Sequence, residues 1–573
     1  MAVQTVPETT GRWMPRPDAV LLVALASLIV VVSVLPMARL IFEALAPSGS
    51  GRVDVVTRVL SSAATWRAAG NSVWLSLGAT ALAVALGGGF ALLAGLTDLR
   101  GKPALVFCFM LPLMIPPQIT ALSWIHLFGP SSALLGTLGL APPPGTPNPL
   151  YSRGGIILLM GIEQSALVFL ALRAGLRAIP RELVEAAQAA GAGRWRVLMT
   201  IVLPLAAPSL IAGTALAFVA SVGNFGIPAL LGIPAGISVL PTLIYQRLAG
   251  FGPAVLSDVA VLSILVGLIA FAGVLLQGWL LGLRDFRTVG APARTLDYRL
   301  GRWRPAVEAA CWLTIVIIVV VPLAALVTTS LVRVYGAPLD AATVTLANYA
   351  HVLLVHDATS RAFRNSLMLA GTAAAVLICV AVPLGYFIVW RRNRMLRVLN
   401  LLAELPYALP GVVLAIATIL VFIRPVPFLN VTAYGTVWII LIAYLARFLS
   451  LALRPVVAGF HTLDPALEEA ARMCGAGLIH RLRTVIVPMA APVAAAGGIL
   501  VFLTSFNELT VSILLWSSGA ETLGVVVYSL EESGGTVLAA AVSVIAVAAI
   551  LAIMLGASLL ARRLPPGVLP WQA

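Results

Sequence analysis

The residues of this chain that could do chemistry are few, and most recur in pairs. Glu185-Ala186-Ala187 is followed by three residues, Gly191, nine residues, a hydrophobic triplet and Pro204; Glu469-Ala470-Ala471 is followed at the same spacing by Gly475 and Pro488. The Glu-Ala-Ala triplets are strong helix formers with small side chains, so another polypeptide can approach closely. Gly191 and Gly475 can take positive φ and turn the chain, and Pro204 and Pro488 suit the opening of a following helix. Each copy, about 181–204 and 465–488, reads as a short helix–turn–helix presented for docking.

A second set of polar residues interrupts apolar runs. The shift of 284 positions that relates the two Glu-Ala-Ala copies carries Glu163 onto Arg447, and Ser221, Gly223 and Asn224 onto Ser505, Asn507 and Glu508. Other chemistries are missing. The single lysine, Lys102, is followed by Pro103, so there is no P-loop, which needs Lys followed by Ser or Thr. The four cysteines make no CxxC pair, and the five histidines no HxxxH pair. No disulfide, metal site or bound cofactor is expected. His351, His356 and Asp357 read as a solvated loop.

The elements that must position these residues are membrane helices. Of 573 residues, 60% are hydrophobic and only 10% charged, with mean hydropathy +1.03; soluble domains carry roughly 25% charged residues. That excludes a soluble enzyme and a disordered or fibrous chain. A bilayer core takes about 20 apolar residues per helix. Twelve runs qualify, near 20–42, 72–97, 104–128, 154–175, 205–232, 255–283, 306–330, 366–390, 398–423, 433–456, 489–516 and 537–561. The first is too long for a signal-peptide core and reads as an uncleaved span. The expected fold is an all-α integral membrane protein of about twelve transmembrane helices.

The net charge of +14 belongs to loops on one side of the membrane rather than to nucleic-acid binding. With both termini cytoplasmic, about 25 Arg and Lys fall inside and about 9 outside. The basic segment 284–305 reads as a cytoplasmic linker between a first half, 1–283, and a second, 306–573. Asn71-Ser72 maps to Asn365-Ser366, and Pro112 and Pro116 to Pro406 and Pro410, by 294 positions. The ten-residue difference between the shifts is assigned to the Pro-rich outer loop 129–153. Six spans separate the matching loops, so the repeat is parallel, about an axis normal to the membrane, with a pathway at the junction of the halves.

The twice-repeated loop resembles the EAA signature of permease subunits of bacterial ATP-binding-cassette importers. That resemblance implies a fused inner-membrane permease, with each loop seated in one subunit of a homodimeric ATPase. ATP and magnesium are then used by that partner, and an external binding protein delivers substrate. "SVGNFGIPALLGIP", "LPTLIYQRLAGFGP" and "SFNELTVSILLWSSGAETLGVVVYSLEE" are most similar to the ferric-iron permeases. Permeases for thiamine, phosphonate, polyamine, sulfate and molybdate remain alternatives. A secondary transporter would be expected to show paired membrane carboxylates, and a membrane enzyme grouped His and Asp; neither is seen.

Within this frame, ionisable groups at membrane depth face a cavity or a partner. Glu163 and Arg447 are expected at the junction of the halves as an ion pair or polar gate, or else bonded locally. Ser221, Asn224, Ser505, Asn507 and Glu508 either line the path or hold a kink. Glu404 is expected to reach towards the basic cluster Arg391–Arg397, and Arg39 and Glu43 to be i, i+4 neighbours. Glu521, Glu531 and Glu532 form an outer acidic loop that either docks a basic surface or is solvated.

Overall fold

The computed structural model describes residues 17–45, 52–250, 254–282, 298–391, 394–425 and 432–560. Arg12, Arg16, Arg392 and most of the linker 284–305 lie outside the described residues. Among those described, ten continuous helices are long and apolar enough to cross a membrane: Asp18–Leu45, Ala63–Leu96, Arg153–Arg177, Arg194–Val222, Val255–Gly282, Gly301–Ser330, Asp357–Arg391, Val437–Thr462, Leu478–Phe506 and Thr536–Leu559.

The runs expected as straight spans at 104–128 and 398–423 are broken. Lys102–Met114 meets Pro117–Leu127 at 98°, and Arg394–Tyr407 meets Gly411–Phe422 at 106°. Proline is the cause. It lacks an N–H and forces the preceding residue out of the helical region; Ile115 is extended at φ −79°, ψ 132°, as are Pro116 and Pro410. With each bent pair as one span, the described residues form an all-α membrane protein with up to twelve spans in two like halves.

Pro204 and Pro488 do not open their helices, contrary to expectation. The spans begin earlier, at Arg194 and Leu478, and each proline follows a π turn, Leu198–Val202 or Leu482–Ile486. Leu203 N–H reaches back five residues to Leu198 O, and Val487 N–H to Leu482 O. The widened turn accommodates a proline that cannot donate.

Small residues set the packing. Ala63–Leu96 lies against Arg153–Arg177 so closely that a Cβ on Gly87 would overlap the carbonyl of Ser165. The first span of each half crosses to the other. Leu35–Leu45 packs on Gly411–Phe422 of the second half, and Val321–Ser330 on Pro117–Leu127 of the first. Asp18 reinforces the first crossing through Arg391 at 3.1 Å. Arg39 and Glu43 pair at 2.9 Å, as expected, and Ser257 Oγ donates to Glu43 at 2.9 Å.

The end of the linker docks on the turn after the 63–96 helix. Tyr298 N–H donates to Leu96 O at 2.6 Å, and Leu300 N–H to Asp98 Oδ1 at 2.9 Å. The Leu300 N–H and the nearby Arg304 hold the Asp98 carboxyl below its ordinary range.

Asn71-Ser72 and Asn365-Ser366 act as matching clamps. Asn71 Nδ2 donates to Ser238 O at 2.9 Å, and Ser72 Oγ accepts Leu240 N–H at 2.8 Å. Asn365 Nδ2 donates to Glu521 O at 3.0 Å, and Ser366 Oγ accepts Leu523 N–H at 2.8 Å. Each clamp ties a long span to the first N–H of a short helix, Leu240–Leu248 or Leu523–Glu532. Ser366→Ala should leave the buried Leu523 N–H unpaired and lower stability by about 1–3 kcal/mol. Thermal unfolding in detergent, with an exposed Ser533→Ala as control, measures this.

Candidate functional site

The two Glu-Ala-Ala loops fold as the spacing suggests. Arg181–Ala189 and Ala466–Met473 are short amphipathic helices. Gly191 at φ 84° and Gly475 at φ 78° turn each chain into the next span. Glu185, Ala186, Glu469 and Ala470 are exposed, and Ala187 and Ala471 half-buried. The loops also expose large apolar side chains at repeat-equivalent positions: Leu183 and Leu467, Trp195 and Ile479. Exposed apolar groups repeated on two like loops are the kind of surface that a protein partner covers.

Beneath this shared surface the loops are anchored by different chemistry. In the second half, Glu468 is buried, accepts from Arg481, and accepts from the Tyr386 hydroxyl at 3.0 Å. The equivalent positions in the first half are Leu92, Val184 and Val197, all in or against the apolar core. One loop is held by a buried ion pair, the other by packing.

The junction of the halves lies at the helix breaks. Asn507 Nδ2 donates to Met114 O, a carbonyl freed by the first break, at 2.7 Å. Its repeat equivalent, Gly223, packs on Pro410 at the second break, where a Cβ would sit 3.0 Å from the proline Cβ. Gln118, just past the first break, is wholly buried, and neither its amide oxygen nor its nitrogen has a partner. A Cβ on Gly524 of the second half would come within 3.0 Å of that nitrogen.

Glu163 and Arg447 do not pair. Glu163 Oε2 accepts Asn224 Nδ2 at 2.8 Å inside the first half. Arg447 lies against Gly411 at the second break, its Nη1 buried and unpartnered, within electrostatic reach of Glu508. Glu163 thus takes the local alternative. Asn224 and Glu508 also hold kinks: Asn224 Oδ1 accepts Ile227 N–H at 3.2 Å, and Glu508 accepts Val511 N–H at 2.8 Å. Ser221 borders a cavity of about 10 Å³ with Ser72, Ser76 and Asn224, room for about one water. Ser505 Oγ donates to Val501 O at 2.5 Å. Glu404 pairs with Arg454 at 2.8 Å rather than with Arg391, Arg394 or Arg397, because the next span brings that guanidinium closer.

Sequence reasoning missed an aromatic contact at the junction. Tyr245 and Tyr528 occupy matching places, five residues after Leu240 and Leu523, and their rings meet edge-to-face at 6.1 Å. Phe225 packs against both, at 5.2 and 5.9 Å. The matching Leu-x₄-Tyr spacing was the available signal. The acidic loop is not a uniform docking patch. Glu521 is buried and bonded to Gly519 N–H at 3.0 Å and to Arg361 at 3.5 Å. Burial pushes its carboxyl up, but these partners more than offset this and hold it below its ordinary value. Burial pushes Glu531 up to about 7, and only Glu532 is exposed. Burial likewise pushes the nearby Tyr335 phenol up to about 12 and raises Tyr151.

Residues 87–339 and again 381–570 match the family described as binding-protein-dependent transport system inner membrane component. The chain belongs to that family. The permease is 29% identical to "Probable ABC transporter permease protein y4fN" of Sinorhizobium fredii over 96% of each chain. It is 25% identical to the ferric transport system permease protein FbpB of Actinobacillus pleuropneumoniae, covering 88% of this chain and 72% of that one. It is 31% identical to the molybdenum transport system permease protein ModB of Escherichia coli, over 37% of this chain and 92% of that one. These relatives are transport subunits, not enzymes, and the permease is the membrane subunit of an ABC importer. The first family match runs past Ser330, so it includes the crossing span that packs on the first broken helix.

Two outcomes follow from the geometry of the permease. Glu468→Val alone should strand buried Arg481 and destabilise by about 3–5 kcal/mol, whereas the triple change Tyr386→Leu, Glu468→Val and Arg481→Val should restore stability to near wild type. Thermal unfolding of the variants in detergent tests this. Glu163→Gln and Arg447→Met should lower transport additively, within about 0.5 kcal/mol in a double-mutant cycle; a larger coupling would mean that the two groups interact after all.

Proposed function

We propose that this permease imports ferric iron by alternating access, driven by a separate homodimeric ATPase that grips its two Glu-Ala-Ala loops. The observation that carries the coupling reading is the repeated exposure of Leu183 and Trp195 in one loop and Leu467 and Ile479 in the other. A symmetric ATPase dimer would meet like surfaces on both. The basic bias of the sequence supports a cytoplasmic location for those loops and for both termini. ATP and magnesium are used by the ATPase, and an external binding protein delivers the iron to the opposite face. ATP hydrolysis takes place on that ATPase and not on this chain.

Movement of the halves would open and close the junction where Asn507 meets the freed Met114 carbonyl and Tyr245 meets Tyr528. Among the described residues, Gln118, Asn507 Oδ1 and Arg447 Nη1, buried and unpartnered, are polar groups available to a passing solute there. Asn224 and Glu508 support that junction by holding the kinks behind it, Glu163 fixes Asn224, and Ser221 and Ser505 lie on the same polar stretch.

Iron is favoured because likeness to a ferric permease extends over 88% of the chain. The second reading is molybdate, favoured by 31% identity to the molybdenum permease over a shorter stretch. Cells lacking the chain should lose uptake of labelled ferric iron and keep molybdate uptake, and wild type should restore it. Loss of molybdate uptake instead would overturn the iron reading. The turns need positive φ, and proline is locked near −65°. Gly191→Pro with Gly475→Pro should therefore abolish copurification of the ATPase while the protein still inserts in the membrane; undiminished copurification would remove the loops from the coupling role.

A further inference from the structure

At the face opposite the Glu-Ala-Ala loops lies a cavity that none of the preceding roles uses. Ala63–Leu96 and Arg153–Arg177 run parallel, with Gly78 against Ile157 and Gly95 against Leu176. The start of the first helix is therefore at the end away from Gly191 and its loop. Beside that start is a cavity of about 130 Å³, far larger than the one-water cavity at Ser221. Arg52–Ser61 brings Arg58 to it, the end of Leu240–Leu248 brings Arg247, and the first turn of Val255–Gly282 brings Asp258. Ser62 and Thr65 line it from the opening of Ala63–Leu96.

The lining has the chemistry of an anion site. Arg58 bonds Asp258 at 2.5 Å, and Arg247 stands 4.0 Å from the same carboxylate, beyond hydrogen-bond reach. Two guanidiniums thus share one carboxylate, which leaves one positive charge unmatched and most of their N–H donors uncommitted. Thr65 is only 1% exposed, and its hydroxyl makes no hydrogen bond among the described residues. Buried polar groups are nearly always satisfied, so this hydroxyl calls for a ligand in the cavity. Water would satisfy the hydroxyl but not the excess charge; an anion satisfies both. Ser62 stands at the N-cap, yet its side chain does not cap, so the positive end of this 34-residue helix also opens beside the cavity.

The second half closes the equivalent place. Its matching helix start, 294 positions on, carries His356 for Ser62 and Thr359 for Thr65, and these two bond each other at 2.7 Å. On the frame that aligns Leu240 with Leu523, Arg247 becomes Leu530, which packs against the apolar core. The fold therefore requires neither the second guanidinium nor the open hydroxyl.

We propose that this cavity binds a phosphate group. Arg58, Arg247, Ser62 and Thr65 donate to its oxygens, and guanidinium suits that planar, two-point recognition. Asp258 holds Arg58 in place and limits the site to a single negative charge. That charge fits a phosphodiester, the form carried by lipid headgroups, and equally the monoanion of inorganic phosphate. Trp66, exposed and with its indole N–H on Leu60 O at 2.6 Å, is a residue type of the membrane–water interface, the depth at which headgroups lie. The site is independent of the cargo that the permease carries.

The full-length permease, delipidated in a neutral detergent, is titrated with phosphatidylglycerol and with diacylglycerol, which lacks the phosphate, and bound lipid is read by native mass spectrometry. Inorganic phosphate is compared with chloride at constant ionic strength by thermal unfolding. Phosphatidylglycerol should bind saturably and more tightly than diacylglycerol, or inorganic phosphate should stabilise the protein, and Arg247→Gln should weaken the effect about tenfold. Thr65→Val removes a hydroxyl that bonds nothing in the protein. It should weaken binding several-fold, leave unliganded unfolding unchanged, and carry the test if Arg247→Gln does not fold. Arg333→Gln removes the same charge from an exposed position in the loop after Val321–Ser330 and should change neither ligand's binding. A response to phosphatidylglycerol alone identifies a lipid headgroup as the ligand; a response to inorganic phosphate admits the free anion. No response to either, a response that Arg247→Gln and Thr65→Val leave unchanged, or an equal loss with Arg333→Gln would overturn the site.

Discussion

Breaking a helix inside a bilayer frees backbone groups that hydrocarbon cannot solvate, and each must find a partner within the protein. Pro116 and Pro410 impose that condition twice. Asn507 meets it at the first break by donating to the Met114 carbonyl. At the second break, Gly223 lets the backbone approach Pro410 directly. A residue of the other half thus repairs the first break, and the other half packs directly on the second. The crossing of the first spans has the same logic, because each covers the broken helix of its partner half.

The repeat is symmetric in backbone and asymmetric in chemistry. The clamps Asn71-Ser72 and Asn365-Ser366 do the same work with the same atoms. The anchors under the loops do the same work with different atoms, a Tyr–Glu–Arg group on one side and Leu–Val–Val on the other. Buried ion pairs and well-packed apolar side chains can be close to equivalent in free energy, so a duplicated fold tolerates either. The breaks differ likewise: Gln118 is a buried polar group, while its equivalent Val412 is apolar. A pathway between unlike walls needs no twofold-symmetric cargo.

Much of the architecture was legible in the sequence, because apolar length and spacing are local properties. Runs of about 20 apolar residues marked the spans, and the spacing from Glu185 to Pro204, repeated from Glu469 to Pro488, marked the loops. Helix starts were less legible. Pro204 and Pro488 looked like openings, but a π turn carries each helix past its proline, and no composition rule announces that adjustment.

The chain by itself determined a two-half membrane protein with two like loops, since hydropathy, charge and repeat spacing need no fold to be read, and the resemblance of those loops to a permease signature pointed to the class. Tertiary structure decided which polar groups meet. Glu163 and Arg447 share a repeat position, yet Glu163 bonds Asn224 and Arg447 lies against Gly411, because kinked neighbours stand closer to each than the opposite half does. Tyr245 and Tyr528 are far apart in sequence and belong to different halves, so only the packing of the halves brings their rings together.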